Sequence, residues 1–377
     1  MHTSLPPRVV ADALWLLTAR SRGGQHWINN ATCDIDAIEI AGQSQPVTLL
    51  EQSSWQECYV ASPRSTWLRY PRQEMLRQLS SLGPGWEQSI KLGSCAIFGL
   101  LSVLFKASKL DRAAIIANHL VSTNLYSDWS ATVISTTTDK LLSTYPQRPL
   151  MMRNICPQVN PGLTASLVSA GWQLLPSRMI YLCDPQQASV WKHNHVKQDA
   201  RLLDNAEVEV LTHEHLHMQD IALLQQLYRQ LFIDKHSYLN PDFSTAFFEL
   251  CLETQFLEMH ALRWQGRLVG VLGIYTHPEH GWLTTPLIGY DTSLPKELGL
   301  YRRLMALLLK TARDRKLKLH YSSGASQFKR ARGGIPQLEY TALYNRHLST
   351  TAVQSAAIFG RLLTTFAPAI LKKVDGI

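Results

Sequence analysis

Three groups of side chains in the last third of this 377-residue chain have types and spacings suited to chemistry on a carbonyl. Tyr290 and Asp291 close the apolar stretch LIGYD, where a carboxylate can hold an amine and a phenol can release a proton. Ser322, Ser323, Lys329 and Arg330 follow the next apolar stretch, KLKLHY, and the Lys329 ammonium can reach a phosphate or a developing oxyanion. Between these groups, Gly299, Leu300, Tyr301 and Arg302 open an amphipathic segment. Gly299 allows backbone to approach a ligand closely, and the first N–H groups of a helix favour a phosphate, amide or carboxylate. Together they could serve acyl transfer to an amine. That reaction needs a neutral nucleophile, a donor to the oxyanion and an acid for the leaving group. The bland reading of each residue is a turn cap or a solvated charge.

The elements that must position these residues can be traced on both sides of a polar stretch. In residues 300–315, Leu300, Leu304, Leu307 and Leu308 recur at helical spacing, with Arg302, Arg303, Lys310, Arg313 and Arg315 on the remaining faces. Residues 257–262, 267–276 and 281–288 read as three strands of a meander, turned at Gly266 and at 278–280, and 318–321 as a further strand. Before them come a strand at 208–211, a helix at 221–232 capped by Asp220, and a helix at 243–253. The first half carries apolar, β-branched residues from 112 and then a helix capped by Asp128 and closed by Pro146. A strand at 149–155, a helix at 163–170 ended by Gly171 and a strand at 178–183 complete it. Residues 184–204 are polar and weakly periodic, which predicts a connector between two halves. Residues 349–374 read as a helical tail broken at Pro368.

Composition narrows the classes. The formal charge is +8, and residues 296–346 hold twelve Lys/Arg against Glu297, Asp314 and Glu339, a local balance of 12 − 3 = +9. Such a patch suits an anionic partner: a nucleotide cofactor, tRNA or an acidic carrier protein. The six cysteines are scattered without a C-x-x-C pair, and the N-terminus lacks the pattern of a secretory signal, so free thiols in a cytoplasmic protein are expected. No stretch has the length of a membrane span; the eleven-residue CAIFGLLSVLF at 95–105, flanked by Lys91 and Lys106, reads as a buried helix, with contact to a lipid surface as the sharper alternative. His213, Glu214 and His217 fit H-E-x-x-H, but the helix would be short and no third ligand stands at family spacing, so no metal site is expected.

On the meander GRLVGVLGIY, the strand LIGYD, the helix GLYRRLMALLLKTARDRKL and above all SSGASQFKRARGG, the second half resembles a GNAT acyltransferase domain of the FemAB-like tandem type. The first half is similar to a degenerate companion copy through STNLYSDW and PSRMIYLCDP. The resemblance implies an α/β (α+β) fold of two GNAT-like domains, each a mixed, mostly antiparallel sheet flanked by helices. The expected boundaries are 1–195 for the degenerate domain, 196–348 for the catalytic domain and 349–377 for the tail. It places Tyr290, Asp291 and Lys329 at the chemistry, and Gly299, Leu300, Tyr301, Arg302, Ser323 and Arg330 on the donor. The loop of Lys235, His236, Tyr238 and Asn240 falls on the acceptor side. The family's usual R/Q-x-x-G-x-G/A loop is reduced to KELGLY at 296–301, with one glycine. The implied activity is transfer of an acyl or aminoacyl group to an amine of a small molecule or peptide, with no permanent cofactor and with acyl-CoA, acyl carrier protein or aminoacyl-tRNA as donor. The alternatives are acetyl-CoA-dependent N-acetylation and an inactive module that binds RNA or a carrier protein. The acyl group, the acceptor and the oligomeric state are open.

Overall fold

The computed structural model describes residues 7–51, 54–79, 84–277, 281–374 and 376. The expected turn at 278–280 lies outside them. The first half runs α1 (Pro7–Arg22), the hairpin β1 (Asp34–Ile40) and β2 (Gln43–Leu49), α2 (Tyr70–Leu79), α3 (Pro84–Ala107), β3 (Ala114–Ile116), α4 (Ala131–Thr144), β4 (Leu150–Ile155), α5 (Pro161–Ser169) and β5 (Gln173–Cys183). The second half runs α6 (Asn194–Leu203), β6 (Glu209–Leu211), α7 (Ile221–Arg229), α8 (Thr245–Thr254), β7 (Glu258–Trp264), β8 (Arg267–His277), β9 (Trp282–Tyr290), α9 (Leu300–Asp314), β10 (Lys318–His320), α10 (Ser326–Arg330), β11 (Ile335–Tyr344) and α11 (Thr350–Val374).

All eleven strands join one sheet in the order β1-β2-β3-β4-β11-β5-β10-β9-β8-β7-β6. Two neighbours are parallel, β3 with β4 and β9 with β10; the others are antiparallel. Each half thus repeats one plan: a meander leading to a parallel pair that is bridged by a helix, α4 in the first half and α9 in the second. The last strands of the halves are exchanged at the centre. β11 lies between β4 and β5, and β5 lies between β10 and β11.

Burial follows the residue pattern. β4 and all of β9 except Tyr290 are buried, as expected for interior strands covered on both faces. One face of the second half is covered by α9, whose Leu304 and Leu308 share a core with Leu283 and Leu319. The other carries α7, whose Leu224 and Tyr228 share a core with Met259 and Leu287. Gly289 makes that contact possible, since a Cβ there would lie 2.5 Å from the Tyr228 backbone.

Several local expectations change. The 184–204 connector contains α6, whose Val196 and Asp199 are buried, and the expected boundary at 195/196 falls inside this helix. Ser130, not Asp128, caps α4 by accepting from Val133 N–H; Asp128 instead accepts from Leu163 N–H at the start of α5. Asp220 accepts from the His217 N–H rather than capping α7. α11 continues through Pro368. The 95–105 segment is helical as expected, yet Ile97, Leu100 and Val103 are exposed rather than buried.

Candidate active site

β9 and β10 pair only from Trp282/Lys318 to Thr284/His320 and then part. β9 continues to Tyr290, whereas the chain after His320 swings onto β5: Tyr321 N–H donates to Tyr181 O at 2.9 Å, and Tyr181 N–H donates to Ser322 O at 3.2 Å. Where the strands diverge, residues 322–325 form a turn with three left-handed positions, Ser322 (φ 60°), Gly324 (φ 77°) and Ala325 (φ 49°). For the two non-glycine residues that conformation costs about 1–3 kcal/mol each and persists only where surrounding contacts enforce it.

Those contacts come from both sides. Lys329, on α10, is 4% exposed and donates from Nζ to the Ser323 carbonyl at 2.6 Å. The ammonium expected to reach a phosphate or an oxyanion is thus engaged on a backbone carbonyl. Ser322 N–H donates to His320 Nδ1 at 3.0 Å, so the ring proton of a neutral His320 sits on Nε2, which lies 3.6 Å from Glu339 Oε2. Glu339 is held in a fork by Arg178, Nε to Oε1 at 2.6 Å and Nη2 to Oε2 at 3.2 Å, and accepts from Asn154 Nδ2 at 3.0 Å. Arg178 and Glu339 are cross-strand partners on β5 and β11, beside a register irregularity. The same guanidinium reaches Ser322 Oγ at 3.3 Å and Thr123 Oγ1 at 3.0 Å, and Thr123 donates to Ser322 Oγ at 3.1 Å.

Burial would raise the Glu339 pKa, but the Arg178 charge, the nearby His320 ring and the hydrogen bonds from Arg178 outweigh it and hold it at about 2. His320 is lowered by burial, partly opposed by Glu339, which keeps the ring neutral. A fixed ion pair and a neutral imidazole therefore clamp the turn.

An aromatic row flanks the opening. Tyr290 lies 6.1 Å from Tyr301 between ring centroids, and Tyr301 lies 4.8 Å from Phe328. Burial raises the Tyr290 phenol, leaving it protonated and able to act as an acid. Asp291 is occupied locally: Oδ1 accepts from Ser293 N–H at 3.0 Å and Oγ–H at 2.6 Å, the arrangement of a turn cap.

The donor-side residues divide. Gly299 is left-handed (φ 60°) at the start of α9, which has no side-chain cap there, and a Cβ on it would lie 2.5 Å from Leu202 Cδ2. The close approach expected of a ligand is thus made by α6. Leu300 is buried in the core, and Arg302 pairs with Asp199 at 2.6 Å, so neither side chain faces the opening as a free group. Ser323 is exposed on the turn, while Arg330 donates to Gly376 O at 3.1 Å. Much of the basic patch is spent internally: Arg303 is 1% exposed and bonds Leu298 O and Asn205 O, Arg332 joins Arg302 on Asp199, Lys310 pairs with Asp314 and Arg315 with Glu258.

The acceptor-side loop begins in a π-helical turn, Gln230–His236, next to β9. His236 is exposed; Tyr238 is exposed too and packs edge-on against Trp55 at 5.5 Å; Asn240 is buried and ties the loop through Nδ2 to Phe232 O at 2.7 Å. His213 is spent on the backbone, accepting from Met259 N–H at Nδ1 and bonding Leu252 O at Nε2. A cavity of about 240 Å³ lies elsewhere, between α6 and α9, lined by Val196, Leu203, Met305 and Leu309 among others.

Sequence reading missed Arg178, His320, Glu339, Thr123 and Phe328. The one local signal was Glu339, a lone carboxylate within the strand IPQLEYTALY.

Residues 192–330 match the family model described as an acetyltransferase (GNAT) domain. Among solved structures, FemX is similar over 92% of this chain and 97% of its own, with TM-score 0.51 and 7% identity. L-PGS from Bacillus licheniformis (TM-score 0.45, 13% identity, 62% of this chain and 78% of that one) also matches. So does a GCN5-related N-acetyltransferase from Kribbella flavida (TM-score 0.34, 13% identity, 62% and 81%). No curated protein matches the sequence. A meander, a parallel pair parting beside a helix start and the match over 192–330 agree: this segment is a GNAT-type transferase domain, in a chain whose overall fold is FemAB-like.

Proposed function

We propose that the chain moves an acyl or aminoacyl group from a thioester or aminoacyl-tRNA donor to an amine of a small molecule or peptide, at the opening where β9 and β10 part. The supporting observation is the clamped turn at 322–325. A trans peptide points its carbonyl and its N–H in opposite directions, and the described residues contain no cis bond. The Ser323 carbonyl is directed at the buried Lys329 ammonium, so the Gly324 N–H of the same peptide is directed away from it, on the exposed side of the turn. An ammonium on the carbonyl polarises that N–H. In this reading Gly324 N–H is the donor to the tetrahedral oxyanion, and Lys329 acts through it. The amine nitrogen forms its bond to the carbonyl carbon, its proton leaves to solvent at the exposed turn, and collapse breaks the C–S or C–O bond. Tyr290 delivers the proton to the departing group.

The donor lies along the Tyr290, Tyr301 and Phe328 row, and the acceptor enters past His236 and Tyr238. The family match over 192–330 favours a second donor, acetyl-CoA, against which stands the single-glycine 296–301 segment. Incubating the protein with acetyl-CoA, acylated carrier protein or charged tRNA together with mixed amines, and following loss of each donor, separates the readings. Consumption of none would reject the function.

A further inference from the structure

We propose that the paired helices α3 and α11 form a docking surface for an anionic lipid bilayer. The two helices lie against each other, their common core including Phe105 and Phe359 at 5.4 Å between ring centroids. Each nevertheless leaves large apolar side chains in solvent. On α3, Ile97, Leu100 and Val103 are 61–66% exposed and follow one another at every third position; on α11, Phe366 and Ile370 are 56% and 58% exposed, one turn apart. A folded chain that keeps such rows uncovered presents a contact surface.

The charge around the rows selects the occupant. Lys106 is exposed three residues beyond Val103 on α3, and Lys373 stands seven residues after Phe366 on the same side of α11, with Lys372 and Arg361 also exposed. Residues 95–107 and 350–373 contain no Asp or Glu. A second copy of the chain meeting this face across a twofold axis would set lysine against lysine. An anionic bilayer accepts both features: the apolar rows enter the headgroup boundary, and the lysines meet lipid phosphates. None of the described helices is long and apolar enough to cross a membrane, so the contact lies along the surface.

The test is co-flotation of the full chain with vesicles of phosphatidylcholine alone and of phosphatidylcholine mixed with phosphatidylglycerol, at low and high salt. Binding is expected to the mixed vesicles and to weaken with salt. Lys372→Glu with Lys373→Glu should lower the partition by roughly tenfold or more, and Leu100→Glu with Ile370→Glu should abolish it. Leu17→Glu, which alters an exposed apolar residue on α1, should leave it unchanged. Thermal melting confirms that each variant is folded. Failure to bind mixed vesicles, equal binding to neutral ones, an equal loss with Leu17→Glu, or a dimer that Leu100→Glu with Ile370→Glu dissociates would each overturn the proposal.

Discussion

Glu339→Gln removes one charge from the clamp while keeping its shape. The carboxyl falls from the ordinary 4.5 to about 2 in the folded chain. At about 1.36 kcal/mol per unit, ionised Glu339 contributes roughly 3 kcal/mol at neutral pH. Glu339 is 1% exposed, so solvent screening takes little from that figure. Because the folded pKa lies below the unfolded one, the contribution is complete above pH 4.5 and disappears as pH falls through 2. At pH 3, below the unfolded pKa, less than half of it remains. The variant also strands the Arg178 guanidinium without its counter-charge, which places the loss at pH 7 at about 3–5 kcal/mol. Urea denaturation of both proteins from pH 7 to pH 3 measures the gap. It should narrow steadily below pH 4.5. A gap under about 1 kcal/mol at pH 7, or one that does not change with pH, would show that the pair does not carry the charge assigned to it. Glu258, also held at about 2 by His260, Arg315 and their hydrogen bonds, keeps its own acid dependence in both proteins and cancels from the comparison.

Lys329→Met keeps the buried aliphatic stem but removes the ammonium from Ser323 O; kcat/KM for the donor should fall about a hundredfold, and an unchanged value in a folded variant removes Lys329 and Gly324 from the chemistry. Gly289→Ala should cost at least about 1–3 kcal/mol, because its Cβ would sit 2.5 Å from the Tyr228 backbone and α7 must move; an unaltered melting temperature would refute that packing argument. Treatment with a chelator should leave donor consumption unchanged, since His213 already bonds two backbone groups, and stoichiometric zinc held by His213 and His217 would contradict this.

The second half was legible because its elements announce themselves locally. The leucines of α9 and the apolar runs and glycine turn of β7 and β8 each depend on neighbours in sequence. What escaped depends on distant partners. α6 reads as a polar linker because the reason for burying Asp199, its pairing with Arg302 and Arg332, lies more than a hundred residues further on. β11 mixes polar and apolar residues, and its place between β4 and β5 comes from tertiary pairing alone. The candidate site shows the same division. Tyr290, Ser323 and Lys329 were visible at the ends of apolar stretches, whereas Arg178 and Glu339 are 161 positions apart and meet only through the β5/β11 register.

The exchange of β5 and β11 at the middle of the sheet makes the two halves hard to separate. The segment that carries the GNAT match, 192–330, contains neither strand, so made alone it would leave the β10 edge without the partner that β5 supplies. A first half made alone would leave β4 and β5 with an open slot where β11 belongs. Exposed edges of that kind invite pairing with other chains. The first half, which already lends Arg178 and Thr123 to the candidate site, is therefore an obligatory part of the second half's scaffold. A deletion that removes the first half takes a central strand from the second as well.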